Sequence, residues 1–423
     1  MAGVNQITMN SLSQWSTSMS FAASVLGSSI LLIATGLYFN KSYQEKKNLV
    51  KFTAANVNYD VMEAEIAPQQ GRVTVLITGG NGFLGGYIID QMLKEECFNI
   101  IVLDICLPPK HKLKREITYI QGNLLSPDHL RQAVTIYLKH GISIDCIIHS
   151  ASLIPYLGIP KRAVELVNVQ GTRNVIAACE QHNISSVIYT SSATVILTKT
   201  DRSMLNMSEN QGRYPLKDQH PDTYTTTKAE AERIVLSAHR PPSLATCVLR
   251  PAAIFGKGDK LIVDKLIKGE DLFVIGTGDS LLDYVPVECV ANAHVLAVKA
   301  ITSDKRAVVG GQVYNIGNGE SKSYGWFNGL GTVGSAPNLS HWQVSHPVCL
   351  PLWLVDCLCF LNDTWFSISG MILLSPSLTH SLIDYTQRSY TFSIDKAMRD
   401  FGYAPLYSVS EKIAQLVSEN RKQ

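Results

Sequence analysis

The chain has 423 residues, 46% of them hydrophobic and 17% charged, which allows a substantial core and excludes extended disorder. Its 37 basic and 35 acidic residues leave a net charge of +2, which removes the electrostatic case for a nucleic-acid partner. Nine cysteines without a Cys-x-x-Cys pair indicate neither a zinc ribbon nor a disulfide framework, and no metal site is expected.

In chain order, the first feature is an uncharged N-terminus. Residues 1–40 contain no Asp, Glu, Lys, Arg or His, and residues 21–39 are mostly apolar. As a helix, that run would reach about 28 Å, close to the ~30 Å hydrocarbon core of a bilayer. Lys41, Lys46, Lys47 and Lys51 follow it and no basic side chain precedes it, so the positive-inside rule places the bulk of the chain in the cytosol. A cleaved signal peptide would need a basic leading region and a shorter apolar run. The expectation is a retained single-pass transmembrane helix within residues 1–40, best suited to the endoplasmic reticulum membrane. Residues 41–71 are polar and mixed and read as a linker.

Strand and helix patterns then alternate. Residues 72–78, 100–104, 145–149, 187–191 and 246–250 are short apolar runs of buried-strand character, and residues 86–93, 161–182 and 222–239 have helical patterns. Such alternation predicts an α/β fold, a parallel sheet covered by helices on both faces. It extends over residues 72–260. Beyond it, residues 261–423 read as a smaller, mixed domain.

The first strand runs into Thr78-Gly79-Gly80-Asn81-Gly82-Phe83-Leu84-Gly85. Glycines at this spacing permit a tight turn, close approach of backbone to a pyrophosphate, and tight helix–strand packing. The helix that follows offers free N–H groups to an anion. Asp104 closes the next strand, where a carboxylate can accept from a ribose diol and repel a 2′-phosphate; NAD is therefore favoured over NADP. A plain turn and a strand-end cap are the bland readings of the same residues.

Farther on, Tyr224 and Lys228 stand four residues apart near the start of a helix opened by Pro221 and Asp222, and so share one face. An adjacent cation favours the phenolate of a tyrosine, a group with a reference pKa near ~10, and fits it for proton transfer. Ser192 follows a predicted strand, at the edge where ligands of such sheets bind. A Tyr-x-x-x-Lys pair alone is close to noise. Its weight comes from the order: glycine loop, acidic strand end, serine strand end, Tyr/Lys helix.

Together these motifs resemble the extended short-chain dehydrogenase/reductases, and within them the 3β-hydroxysteroid dehydrogenase group, over most of the chain. The resemblance implies a Rossmann doubly wound sheet with a smaller C-terminal substrate domain, and it implies roles for particular residues. Asn168, in Asn168-Val169-Gln170-Gly171-Thr172, would complete a tetrad with Ser192, Tyr224 and Lys228. Gly79, Gly82, Phe83, Leu84, Gly85, Asp104, Asn123, Leu124, Ala151, Lys228 and Pro251 would hold NAD. Asp283-Tyr284-Val285, Ala293-His294 and residues 392–405 are similar to further family segments. One departure falls at Gly122-Asn123-Leu124, where relatives often carry Asp in place of Asn123; the amide keeps an acceptor oxygen for the adenine amino group.

Relatives of this kind also pair through helices flanking the tetrad, which makes a homodimer an expectation. The expected activity is NAD-dependent oxidation of a steroid or sterol 3β-hydroxyl to the ketone, with Δ5 isomerisation or 4-decarboxylation left open. Nucleotide-sugar epimerases share the fold and the tetrad, but they often carry Arg where this chain has Leu282, and they would not need an anchor. A catalytically silent NAD- or sterol-binding membrane protein is the other alternative. Residues 348–361 and 365–374 are apolar but interrupted by Asp356 and Asp363, too polar for a second span. They read as a membrane-resting segment over a sterol site or as ordinary core helix.

Overall fold

The computed structural model describes Thr53, residues 57–155, 159–211, 214–259, Val263, and residues 273–327, 348–369, 373–374 and 380–420. The expected N-terminal transmembrane helix lies outside the described residues.

Among the described residues, fifteen strands form the framework: β1 (Asp60–Met62), β2 (Val73–Thr78), β3 (Phe98–Asp104), β4 (Ile117–Gln121), β5 (Cys146–His149), β6 (Ser186–Thr190), β7 (Ser203–Met207), β8 (Ala245–Pro251), β9 (Ala253–Phe255), β10 (Phe273–Ile275), β11 (Leu281–Pro286), β12 (Gln312–Ile316), β13 (Ser321–Ser323), β14 (Val348–Leu350) and β15 (Ser389–Phe392). The helices that matter for the site are α1 (Phe83–Met92), α2 (Pro127–Thr135), α3 (Lys161–Glu165), α4 (Gly171–Gln181), α5 (Thr223–Ser237), α6 (Val287–Ile301) and α7 (Leu352–Ser369).

The main sheet has the order β1-β4-β3-β2-β5-β6-β8-β12. Every pairing in it is parallel except β1 with β4. Strands β2, β3, β4, β5, β6 and β8 are buried on both faces, so their side chains alternate between two cores. Val75, Ile77, Ile100, Val102 and Ile148 point to the side of α1 and α6. Leu76, Ile101, Leu103 and Ile147 point to the side of α2, α4 and α5. Each such Val, Leu or Ile contributes ~1.5–3 kcal/mol by leaving water, which is why near-continuous apolar runs mark these strands in the sequence. Chain order reverses between β2 and β5, a topological switch point that opens a crevice at the carboxyl ends of the strands.

A second sheet, β13-β11-β15-β7 with β9 on β11, encloses a third core. There the Tyr284 ring stacks on Phe327 at 3.7 Å, with Phe255 edge-on to Phe327. Membership of the two sheets departs from a division at residue 260. Strand β7 comes from the first stretch, whereas α6 and β12 return from the second to complete the main sheet. The stretch expected as linker supplies β1, which covers the outer edge of β4.

Of residues 348–361 and 365–374, the described part folds mainly as β14 and α7. Helix α7 buries Val355, Cys359 and Asn362, at helical spacing, and the first two of these enter the third core. Its opposite face exposes Trp353 (67%), Phe360 (65%), Leu361 (52%) and Trp365 (42%) to solvent. No described helix is long and apolar enough to cross a membrane.

Candidate active site

One cavity of about 690 Å³ runs along the carboxyl ends of the main-sheet strands and under the second sheet. From Asn123 after β4 to Pro251 at the end of β8 it crosses five inter-strand steps, roughly 24 Å at ~4.8 Å each. Of the residues singled out from the sequence, Gly79, Gly82, Phe83, Leu84, Gly85, Asp104, Asn123, Leu124, Ala151, Ser192, Tyr224, Lys228 and Pro251 all line it. Asn168 does not.

The glycine loop has the geometry a dinucleotide needs. Gly79 sits at φ +71°, and a Cβ there would also meet the Ala151 Cα at 2.7 Å. A Cβ on Gly85 would lie 2.3 Å from the Gly79 carbonyl oxygen, so only glycine lets α1 start this close to β2. The chain then enters α1 through Gly82, in extended backbone with no side-chain cap, leaving the first N–H groups of the helix facing the cavity mouth. Asp104 accepts the Asn81 amide at 3.0 Å and the Cys106 amide at 3.3 Å. Burial raises its pKa, and those amides act in the opposite direction. This cradle fits a nicotinamide dinucleotide, for which α1 would hold phosphate and Asp104 a ribose hydroxyl.

The β4 end of the cavity holds a residue that sequence reasoning missed. Thr53 lines the cavity there, and the Asn123 Nδ2 donates to its carbonyl at 2.9 Å. The Asn123 Oδ1 accepts the Leu125 amide at 2.9 Å. An aspartate could make the second bond but not the first, which gives the departure at position 123 a physical use. No local signal in the sequence marks Thr53.

At the other end, Asp222 caps α5 by accepting the Thr225 amide at 2.7 Å, and the following turn presents Tyr224 to the cavity. Lys228 is buried one turn on; its Nζ donates to the Thr190 carbonyl and lies 4.5 Å from the Tyr189 ring centroid. Burial pulls its ammonium pKa down to about 7, with Glu232 acting in the opposite direction. Ser192 begins the segment after β6, its Oγ 2.8 Å from the Thr194 hydroxyl. Neutral histidines brace these strand ends. His149 bridges Thr78 and Thr172 at 2.8 and 2.9 Å, and burial together with the Lys228 charge lowers its pKa to about 3. His294 meets Thr190 at 2.8 Å, with burial lowering its pKa to about 4.

Asn168 lies on a π-turn, residues Leu166–Gln170, between α3 and α4. Its Oδ1 accepts from the Leu153 amide (2.7 Å) and Ser152 hydroxyl (3.3 Å), and its Nδ2 donates to the Leu153 carbonyl (3.0 Å) and Thr227 hydroxyl (3.1 Å). That uses the full capacity of the amide. Asn168 therefore ties the loop after β5 to the residue before Lys228, from behind the cavity wall.

The second sheet closes the cavity with Asp283, Tyr390 and Phe392, and the helix His380–Thr386 and the residues after it add Asp384, Tyr385 and Arg388. Asp283 accepts the Phe392 amide at 2.6 Å, joining β11 to β15, and burial raises its pKa to about 7. Arg388 donates to the carbonyls of Thr198, Lys199 and Asp201 and pairs with Asp384.

The pattern of the 3-beta hydroxysteroid dehydrogenase/isomerase family matches residues 76–330. The chain belongs to that family. The enzyme class that goes with it is a nicotinamide-dinucleotide-dependent dehydrogenase. A 3beta-hydroxysteroid-dehydrogenase/decarboxylase of Arabidopsis thaliana is 30% identical over 81% of this chain, a match spanning 61% of that protein's length. The sterol-4-alpha-carboxylate 3-dehydrogenase, decarboxylating, of Candida albicans is 36% identical over 60% of this chain and 72% of its own. Among solved structures, a UDP-glucose 4-epimerase of Thermotoga maritima superposes with a TM-score of 0.60 at 19% identity, covering 83% of this chain and all but 1% of the epimerase, a likeness of fold alone.

Proposed function

We propose that this protein oxidises the 3β-hydroxyl of a membrane-dissolved steroid or sterol to the ketone, using NAD, while anchored by its N-terminal apolar run with the catalytic part facing the cytosol. The observation that carries this reading is the convergence of Tyr224, Lys228 and Ser192 on the cavity that also holds the glycine loop and Asp104. Tyr224, as phenolate, takes the hydroxyl proton. Lys228 stabilises that phenolate through its charge, and Ser192 hydrogen-bonds the substrate oxygen as it becomes a carbonyl. Bound NAD supplies the hydride acceptor. Asp104 favours NAD because a 2′-phosphate would face a carboxylate.

Support for a sterol comes from the named activities of the Arabidopsis and Candida relatives. It comes also from the apolar side chains Leu153, Ile154, Leu197 and Ile254 in the lining. The exposed Trp353, Phe360, Leu361 and Trp365 face of α7 suits contact with a bilayer surface, where such rings settle. A nucleotide-sugar substrate would want a guanidinium on its diphosphate. Position 282 is instead a buried leucine, and Arg388 is engaged with carbonyls and Asp384.

The test is reduced-nicotinamide formation by membranes carrying the full chain, offered a 3β-hydroxy-Δ5 steroid, a 4-carboxysterol or a UDP-hexose with NAD or NADP. We expect turnover of a sterol with NAD, lost at least 1000-fold in Tyr224→Phe with NAD affinity unchanged (about 10³, the order expected for a proton-transfer group). Sterol turnover that survives Tyr224→Phe, or turnover of the UDP-hexose alone, would contradict the proposal. Release of the chain by an alkaline wash of the same membranes would contradict the anchor.

A further inference from the structure

The face of α5 that carries Lys228 continues one turn on to Glu232, which is fully buried. Three side chains converge on its carboxylate. Arg250, from β8, reaches Oε1 with Nη2 at 2.5 Å and both oxygens with Nε at 3.1 Å. The Ser191 hydroxyl donates to Oε2 and the Tyr214 hydroxyl to Oε1. The Arg250 guanidinium also lies 5.3 Å from the Tyr214 ring centroid. A buried ion pair is rarely more stabilising than a packed apolar pair, so stability alone does not account for one placed directly behind the Tyr/Lys helix.

Its connections run to the site. Residues 190–192 run from the end of β6 into the segment after it, and each is involved: Thr190 accepts from Lys228, Ser191 is bonded to Glu232, and Ser192 lines the cavity. The groups facing Lys228 are Tyr224 and Glu232 on its own helix, His149 from β5 and Tyr189 from β6, with Arg250 and Tyr214 behind Glu232. His149 and Tyr189 are held neutral by burial.

We infer that Glu232, locked by Arg250, Tyr214 and Ser191, is a positioning residue of this site: it fixes α5 against the Ser192 strand end and supplies the carboxylate charge that faces Lys228 from inside the fold. The inference rests on the reading of Tyr224, Lys228 and Ser192 as the reacting group, and its test reads the lysine directly, so that a wrong substrate would not obscure it.

The full-length chain, labelled with ¹³C at lysine Cε, is titrated by NMR, with the Lys228 resonance identified by its loss in Lys228→Met. Glu232→Gln is expected to lower the Lys228 midpoint by about one unit or more, the size of a nearby buried charge, and to move the pH profile of kcat with it. Because Glu232→Gln leaves Arg250 buried and unpaired, Glu232→Gln/Arg250→Met is measured alongside, and the midpoint should remain lowered there. A midpoint within about 0.2 unit of wild type in both variants, a difference too small to be a direct charge effect, would overturn the inference. So would a shift confined to the single variant, since it would trace to the lone Arg250 charge.

Discussion

Asp104 shows how one side chain can serve structure and selection together. Its two oxygens accept amides from Asn81 and Cys106, shaping the turn, while the side chain lines the cavity. Asp104→Ser removes the charge that would repel a 2′-phosphate. The ratio of kcat/KM for NADP over NAD should then rise by about tenfold or more, an electrostatic difference of ~1.4 kcal/mol; an unchanged ratio would mean Asp104 only caps its strand. Asp283 makes a prediction of the opposite kind. Its folded pKa, about 7, lies above the usual carboxylate value because the group is buried. Between the two values the folded state holds a proton that the unfolded state has released, so stability falls as pH rises from 4 toward 7. Asp283→Asn keeps an acceptor for the Phe392 amide without the charge and should flatten that part of the stability–pH curve. At roughly 1.4 kcal/mol per unit, the wild-type slope there is worth a few kcal/mol. Parallel curves for the two proteins, followed by denaturant unfolding, would remove Asp283 as its source.

At the scale of elements, the β2–glycine loop–α1 unit illustrates why some of the fold is legible in the sequence. Gly85 cannot take a side chain, since its Cβ would collide with the Gly79 carbonyl, whereas a Cβ at neighbouring Gly86 meets nothing within 4 Å. Gly85→Ala should abolish NAD binding or folding. Gly86→Ala should leave binding intact and raise stability by up to about 1 kcal/mol through helix propensity. Equal effects of the two, by calorimetry and NAD titration, would refute the close-approach argument. Strand β2, the loop and the Tyr224/Lys228 helix could be read because their signals are local: an apolar run, glycine spacing, a capping Asp222 and an i,i+4 pair. Strands β1 and β13, three residues each, carry no period long enough to detect. The position of Asn168 was legible through family resemblance. That its amide is filled by Leu153, Ser152 and Thr227 was not, because those partners meet through a π-turn with no sequence signature.

Over the whole molecule, the cavity depends on interleaving that no chain-order reading can supply. The second sheet takes β7 from between β6 and α5, and the main sheet takes β12 back from beyond β11. Tyr224 on α5 and the β15 residues Tyr390 and Phe392 thereby face the same space, although more than 160 residues separate them in sequence. Thr53 reaches the β4 end of the cavity in the same long-range way, its carbonyl accepting from Asn123. Apolar residues on α7 were readable as a composition, but only the fold divides them into a buried row with Val355 and Cys359 and an exposed row with Trp353, Phe360 and Trp365. The central claim is that this arrangement oxidises the carbinol carbon of a sterol. Its most direct test is a single turnover of the full-length, membrane-bound chain with a sterol deuterated on the 3α face and NAD, followed by mass analysis of the nicotinamide product. The account predicts that the deuterium appears on the reduced dinucleotide and that none is transferred in Tyr224→Phe. Product ketone without labelled dinucleotide, or label transfer undiminished in Tyr224→Phe, would contradict it.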